Sequence, residues 1–386
     1  MAKSARPTLG IAARTFRRRR FGEQTSYLRG LVAIARRKGM NAYVFGPGDV
    51  DWPRQRVRGW SPVPGGWRRR WHPLPDVVYD RVWGLGPLGR RRFAEELKRF
   101  EEHGIPCFNP DFGDKLDVYR TLHGTEALAP HLPETLPLTA ENLLALAARH
   151  RYVYVKPARG RQGKGISVCR KLKRGWHWTR ASAPRRSQTL PSAEAVVAAC
   201  RRGRAGDAFL VQQGLDLVRL AGGTVDVRVI VQRDSRGQWQ VSAVGVRAGR
   251  RGRLVSNLHA GGRAMGLSRL VRAARIKGSL ARIRRQVAEV ALLAAEALSR
   301  AHPSLGELGV DIGLGPEGRA WILEVNRQPG RALFARARLR KAWRRSRIRV
   351  VEFARFLAQG GLALHPPAPS GESSRAPVPL EAAAGR

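Results

Sequence analysis

The stretch that decides the fold is Tyr152–Lys171, YVYVKPARGRQGKGISVCRK. It begins as an alternating apolar strand that ends on Lys156. A loop follows in which Arg159, Arg161 and Lys164 are threaded between Gly160, Gly163 and Gly165, and a second strand closes it. A phosphate cradle, a nucleic-acid clamp and a plain tight hairpin all fit that description. The P-loop pattern fails, because Gly163-Lys164 places Ala158 at its first glycine and Gly165 at its hydroxyl. The G-x-G-x-x-G fingerprint is absent as well, and the loop leads into a strand, so no helix N-terminus is on offer to a phosphate. What remains is a glycine-rich hairpin whose backbone N–H groups can turn toward phosphate oxygens, with Lys156 bringing an ammonium to the same place.

Outward from this hairpin, the chain of 386 residues is long enough for two or three domains. Lys and Arg total 72 against 29 Asp and Glu, a formal charge of +43. Such a balance favours anionic partners: nucleic acid, acidic protein layers or anionic membranes. A GC-rich base composition, which supplies arginine codons freely, is the favoured explanation. Cys107, Cys169 and Cys200 are odd in number and widely spaced, which argues against a disulfide framework or a Cys-x-x-Cys metal site and suits a reducing compartment. The N-terminus has no apolar core of signal-peptide length, and no apolar run is long enough for a membrane span, so the expected location is cytoplasmic.

The first hundred residues alternate strand and helix. TLGIAA (8–13), NAYVFG and DVVYDRVW (76–83) read as strands, Tyr27–Lys38 as an amphipathic helix, and RRRFAEELKRFEE as a helix stopped by Gly104. Residues 51–75, with GWRRRWHP, are Arg- and Trp-rich. The pattern can stack on bases, but an arginine-covered hairpin fits it better. Beyond Phe112, DKLDVYRTLHG, AENLLALAARH and SAEAVVAACRRG are helical, and Leu172–Pro191 reads as a surface excursion. DVRVIVQRDSRGQWQVSAVGVRAG and LGVDIGLGPEGRAWILEVN read as hairpins. Residues 280–300 form a core-facing helix, and from His365 the composition predicts disorder.

A second constellation bears on the lysine. Glu324 and Asn326, two apart on a strand, share a face, and Asp311 lies on the partner strand. Two carboxylates and an amide oxygen suit Mg²⁺; the competing reading is Glu324 paired to one of the arginines. Asp226 and Arg228 share one face of TVDVRVIVQ. Arg228 can grip a phosphate or carboxylate bidentately, or simply pair with Asp226. Asn257 and His259 precede two glycines in VSNLHAGG.

In order, FNPDFGDKLDVYRTL, VKPARGRQGKGI, FLVQQGLDL, VDVRVIVQRD, VSNLHAGG and LGVDIGLGPEGRAWILEVNRQPGR resemble the ATP-grasp superfamily, and within it the YheC/YheD-like branch of endospore coat-associated proteins. The resemblance covers Phe108–Gly330. It implies an α/β (α+β) class: a small α/β pre-grasp domain (1–110), then an ATP-grasp domain (111–362) of two α+β subdomains gripping ATP, with a lid subdomain at about 140–215 and a disordered Pro/Ala-rich tail (363–386). It implies that Lys115 and Lys156 meet the ATP phosphates under Gly160, Gly163 and Gly165. It implies further that Gln212, Gln213 and Leu215 form the adenine hinge and that Asp311, Glu324 and Asn326 hold Mg²⁺, or Mn²⁺ in its place. Arg228 and Asn257 sit beside the reacting groups as the catalytic pair. The branch usually reads Gly-Ser in the hairpin, whereas Arg161 stands at the serine here. The activity implied is carboxylate activation by ATP as an acylphosphate, followed by attack of an amine or thiol on an unknown carboxylate. The alternatives are a spore-coat structural or assembly protein that keeps the ATP site, with acidic coat proteins as partners, and a nucleic-acid binder acting by non-specific charge.

Overall fold

The computed structural model describes residues 6–16, 21–160, 164–181, 186–203, 206–252 and 261–362. Three sheets follow one another along the chain. The first contains β1 (Thr8–Ala12), β2 (Asn41–Phe45), β3 (Val50–Asp51), β4 (Arg56–Val63), β5 (Gly66–Pro73), β6 (Val77–Asp80) and β7 (Cys107–Phe108). Strands β2, β1, β6 and β7 run parallel, while β4 joins β2, β3 and β5 antiparallel. The parallel strands are buried on both faces, as such strands generally are. Helices α1 (Thr25–Arg37) and α9 (Arg340–Ala358) cover one face, and α2 (Pro87–Glu102) covers the other. The Arg/Trp segment is the β4–β5 hairpin, with cations laid on its tryptophans, Arg56 on Trp71 at 4.0 Å among them.

The second sheet is antiparallel, in the order β12-β11-β10-β9-β13-β8. Its strands are β8 (Thr135–Pro137), β9 (Val153–Pro157), β10 (Ser167–Lys171), β11 (Trp176–Arg180), β12 (Ser187–Leu190) and β13 (Phe209–Gln213). The alternation in VYVKP decides its faces. Val153 and Val155 pack with Cys169 and Val211 against α4 (Ala140–Arg149) and α5 (Ala193–Arg201), leaving Tyr154 and Lys156 on the opposite face. The expected surface excursion at 172–191 is instead β11 and β12. Trp176 and Trp178, two apart on β11, share the face that packs in that core and are each only 3% exposed, while Arg180 at the strand end lies over the Trp178 ring at 5.1 Å.

The third sheet runs β17-β16-β15-β18-β19, with β14 beside β15. Its strands are β14 (Arg219–Leu220), β15 (Gly223–Arg233), β16 (Trp239–Ala248), β17 (Arg263–Met265), β18 (Glu307–Leu314) and β19 (Ala320–Asn326). Val225, Val227, Val229 and Val231 face α7 (Leu280–Ala301), whose Ile283, Val287, Val290, Ala294 and Leu298 are all buried. The helices α3 (Lys115–His123), α6 (Leu267–Ala273) and α8 (Ala332–Arg336) complete the set.

A buried carboxylate ties the first sheet to the third. Glu307 accepts from Tyr79 and Arg331, from Arg81 at 3.1 Å and from Gln232 at 3.0 Å. Beside it Asn109 adopts φ +66°, a conformation asparagine tolerates better than most residues. Its amide receives the Gly306 and Glu307 N–H groups at 2.8 and 2.7 Å and donates back to the Glu307 carbonyl.

Candidate active site

The second and third sheets turn their polar faces toward a shared cleft of about 980 Å³. Pairing register explains which side chains arrive there. Residues opposite each other in an antiparallel pair point to the same side. Lys156 lies opposite Leu210, and Tyr154 opposite Gln212, so Lys156 and Gln212 share the cleft face, where the Lys156 ammonium donates to Gln212 Oε1. Gln212 in turn donates to Thr135 Oγ1 at 2.8 Å. Lys115 enters from α3, whose first turn is fixed by an Asp114/Asp117 capping box. Its backbone N–H bonds Ala158 O, and its Nζ reaches Gly160 O at 3.0 Å and Glu324 Oε1 at 3.5 Å. Gly165 has φ +79°, a conformation in which glycine carries no steric penalty.

On the facing sheet, Asp311 is in register with Glu324, and a bulge follows between Asp311 and Ile312. Asn326 donates to Asp311 Oδ2 at 3.4 Å, so the three oxygen-bearing side chains expected together do converge. Among the described residues Glu324 pairs with Lys115 and not with an arginine, and its side chain keeps 32% exposure to the cleft. The alternative pairing of Arg228 with Asp226 is not what forms. Arg228 sits opposite Asp311 in the β15–β18 register and grips that carboxylate through Nε and Nη2, while Asp226 bonds Arg247 Nε at 2.7 Å. Register is the reason: the partner across the ladder is closer than the one two residues along the same strand.

Electrostatics follow from this packing. Burial pushes Lys156 down from 10.5 to about 8; Glu324 opposes the shift and Lys115 adds to it. Burial pushes Asp226 up to about 7 against the pull of Arg247. Asp311, in contrast, is held below the usual carboxylate range, because the attraction of Arg228 and Arg247 outweighs its burial.

Of the hinge residues, Leu215 lines the cleft, and the side chain of Gln213 accepts from the Glu134 N–H at 3.1 Å. Gly163 and Asn257 lie outside the described residues. Arg247, Tyr154 and Leu323 also line the cleft without having been singled out. For Arg247 the signal was present: it is a lone charge in the apolar strand VSAVGVRAG, the same anomaly that marks Arg228. Among the described residues no group of three or more His, Cys, Asp or Glu side chains could hold a metal.

Two polar-faced antiparallel sheets enclosing a lysine and a carboxylate hairpin constitute the ATP-grasp fold. A D-alanine–D-alanine ligase from Bacillus anthracis superposes with TM-score 0.52 at 11% identity, over 92% of this chain and 99% of that one. The ATP-grasp ligase PsnB, solved with a minimal precursor, gives 0.52 at 18% identity over 90% and 99%. D-cycloserine synthetase DcsG gives 0.51 at 16% over 92% and 100%. The YheC/D-like ATP-grasp family model matches residues 104–357, more than half of the chain, and the chain belongs to that family. The endospore coat-associated proteins YheD and YheC of Bacillus subtilis (strain 168) are similar to it. YheD is 27% identical over 92% of this chain and 79% of its own length, and YheC is 23% identical over 80% and 86%. No helix among the described residues is long and apolar enough to cross a membrane.

Proposed function

We propose that this chain is a Mg-ATP-dependent ligase that activates a carboxylate as an acylphosphate and joins it to an amine or thiol. One observation carries the reading: Lys156 faces Glu324, Asn326 and Asp311 across the cleft, and Lys115 reaches Glu324 Oε1 at 3.5 Å from α3, within a family of ATP-grasp proteins. The lysines would hold the polyphosphate. The hinge at Gln212–Leu215 would meet the base, and Gly160, Gly163 and Gly165 would form the cover.

Glu324, which is partly open, and the Asn326 amide oxygen suit a hard divalent cation, while the Asp311 carboxylate is gripped by Arg228 and Arg247. Glu324 and Asn326, with Asp311 beside them, would hold it, and a bound Mg²⁺ would neutralise phosphate charge. The substrate carboxylate would displace ADP from the γ-phosphate, and the nucleophile would then displace phosphate from the acyl carbon. Arg228, beside Asp311, and Asn257 would lie near these groups. The protein supplies orientation and positive charge, and no covalent nucleophile is needed.

The test is ADP release in a screen of Mg-ATP with candidate acids and amines, read by mass spectrometry for a joined product. Glu324→Ala, folded as judged by circular dichroism, loses at least about 100-fold of that turnover; turnover equal to that of the unsubstituted chain overturns the reading. A second reading is favoured by the names of the Bacillus relatives and by the +43 charge. In it the protein is a coat assembly protein that binds ATP without ligation and docks acidic coat proteins, with nucleic acid held only by non-specific charge. A ligation product from the purified protein excludes it.

A further inference from the structure

From Val325 to Val351 the chain carries ten Lys and Arg and no Asp or Glu. Two of these cations are held in ion pairs, Arg327 with Asp80 and Arg331 with Glu307. Arg347 lies over the Trp343 ring at 4.3 Å, and Arg349 donates to Ser242 Oγ at 3.1 Å. Arg338, Arg340, Lys341, Arg344 and Arg345 are exposed, and among the described residues none of their side chains meets a carboxylate.

The arrangement runs against helix stability. Arg340 and Lys341 occupy the first turn of α9, where the helix dipole disfavours cations and no acidic residue offsets them. Arg340 and Arg344, Lys341 and Arg345, and Arg345 and Arg349 are like charges four apart, which repel on a helix. The exposed face of α2 is built the other way, with Arg91–Glu95 at 3.3 Å and Lys98–Glu102 at 3.6 Å. An arginine-rich composition explains the cations on both helices. It does not explain their concentration at the helix end that tolerates them least, and a local rule broken in this way marks a functional surface.

The run begins at the cleft. Gly330, Ala332 and Leu333 line it, and Ala332 is exposed, which places α8 at the rim. Leu333, Phe334, Leu339 and Trp343 belong to one apolar cluster with Ile230 and Ala243, so α8 and the start of α9 form a single platform on the third sheet. Arg170 of the second sheet and Arg219 of β14 line the same cleft, which therefore carries cations from its mouth as far as Arg228 and Lys156.

Guanidinium forks match carboxylates in two-point contacts, and the proposed chemistry consumes a carboxylate. A polypeptide rich in Asp and Glu meets both requirements. A nucleic acid meets only the charge. It brings no carboxylate, and Trp343, the one aromatic ring between residues 335 and 352, has a face taken by Arg347 and packs into the cluster, which leaves little of it to stack on a base.

We propose that the α8–α9 platform docks an acidic polypeptide, and that a Glu or Asp side chain of the docked polypeptide is the carboxylate activated in the cleft. Its oxygen bonds to the γ-phosphorus of ATP as the bond to the ADP oxygen breaks. An amine nitrogen then bonds to the acyl carbon as phosphate leaves, and the amine gives up a proton. The inference rests on the ligase reading and deepens it by naming the class of substrate.

The experiment uses the full chain with Mg-ATP and three fluorescein-labelled probes: a peptide rich in Glu and Asp, the same peptide with every acid replaced by its amide, and single-stranded DNA of equal charge. Anisotropy at constant ionic strength reads binding. Hydroxylamine, added as the nucleophile, turns an acylphosphate into a hydroxamate that mass spectrometry detects on the peptide. The acidic peptide binds about tenfold or more tighter than its amide counterpart and gains hydroxamate only with ATP. Joint substitution of Arg340, Lys341, Arg344 and Arg345 by Gln weakens that binding about tenfold or more and leaves ADP affinity within about twofold. The same four-charge loss at Arg91, Arg92, Arg284 and Arg285, exposed positions elsewhere, weakens it much less. Equal binding of the two peptides, an equal loss in both quadruple variants, or DNA bound more tightly than the acidic peptide overturns the inference. Hydroxamate on small acids but not on the docked peptide overturns it as well and leaves the ligase reading standing. If no acid yields ADP or hydroxamate, the ligase reading falls and the inference with it.

Discussion

Lys156 offers a test of the cleft that needs no knowledge of the acceptor. Burial lowers its pKa to about 8 from 10.5. A polyphosphate laid against it favours the ammonium form and drives the value back up. Binding then takes up a proton over the interval between the free and bound pKa, and affinity falls as pH rises through that interval. With a free value of about 8, roughly 90% of Lys156 is charged at pH 7 and roughly 10% at pH 9. If only the charged form binds, the Kd of a non-hydrolysable Mg-ATP analogue rises about tenfold over those two units, or about 1.4 kcal/mol. Isothermal titration calorimetry at pH 7, 8 and 9, at constant ionic strength and saturating Mg²⁺, measures it. Lys156→Met mimics the uncharged limit: its affinity at pH 7 is about tenfold weaker or more, and it changes much less with pH in this window than that of the unsubstituted chain. A rise of less than about twofold in the unsubstituted chain, or an equal slope in the methionine variant, refutes the reasoning.

Two further predictions concern the scaffold. Trp178→Ala removes a ring that is 3% exposed in the core of the second sheet and whose Nε1 donates to Cys200 Sγ at 3.3 Å; it costs about 3–5 kcal/mol in urea unfolding, whereas His177→Ala on the opposite face costs less than about 1 kcal/mol. Glu96 is raised from 4.5 to about 7 mainly by burial, despite an N–H bond from Gly48. The folded state therefore holds that proton more tightly, and the stability this lends is full below pH 4.5 and lost as pH rises through about 7. Glu96→Gln gains about 1–2 kcal/mol at pH 8, and the gain shrinks toward zero at pH 4.5; an equal shift in unfolding midpoint at both pH values contradicts it.

Much of this protein was legible in order. The strand VYVKP carries its own alternation, and it correctly sends Val153 and Val155 to a core and Lys156 to a cleft. The hairpins at 223–248 and 307–326 could be read from apolar alternation broken by Ser-Arg-Gly and Pro-Glu-Gly turns, because period-two burial and turn chemistry are local properties of a chain. For the same reason the sequence alone places Asp311, Glu324 and Asn326 on one face.

Only the tertiary structure decided which charges meet. Arg228 could pair with Asp226 beside it or with any carboxylate brought across, and ladder register settled on Asp311. Arg247, the bridge between Asp226 and Asp311, was one arginine among many in a chain where charge alone discriminates nothing. The tryptophans of 176–178 and the apolar stripe of α9 lacked a visible destination. Trp176 and Trp178 close the second sheet's core, and Val350, Phe353 and Leu357 cover the first sheet, to which they are joined by more than 240 residues of intervening chain. Local sequence sets which face of an element is apolar. Which distant face buries it depends on the path of the whole chain, and that is written in no single stretch of it.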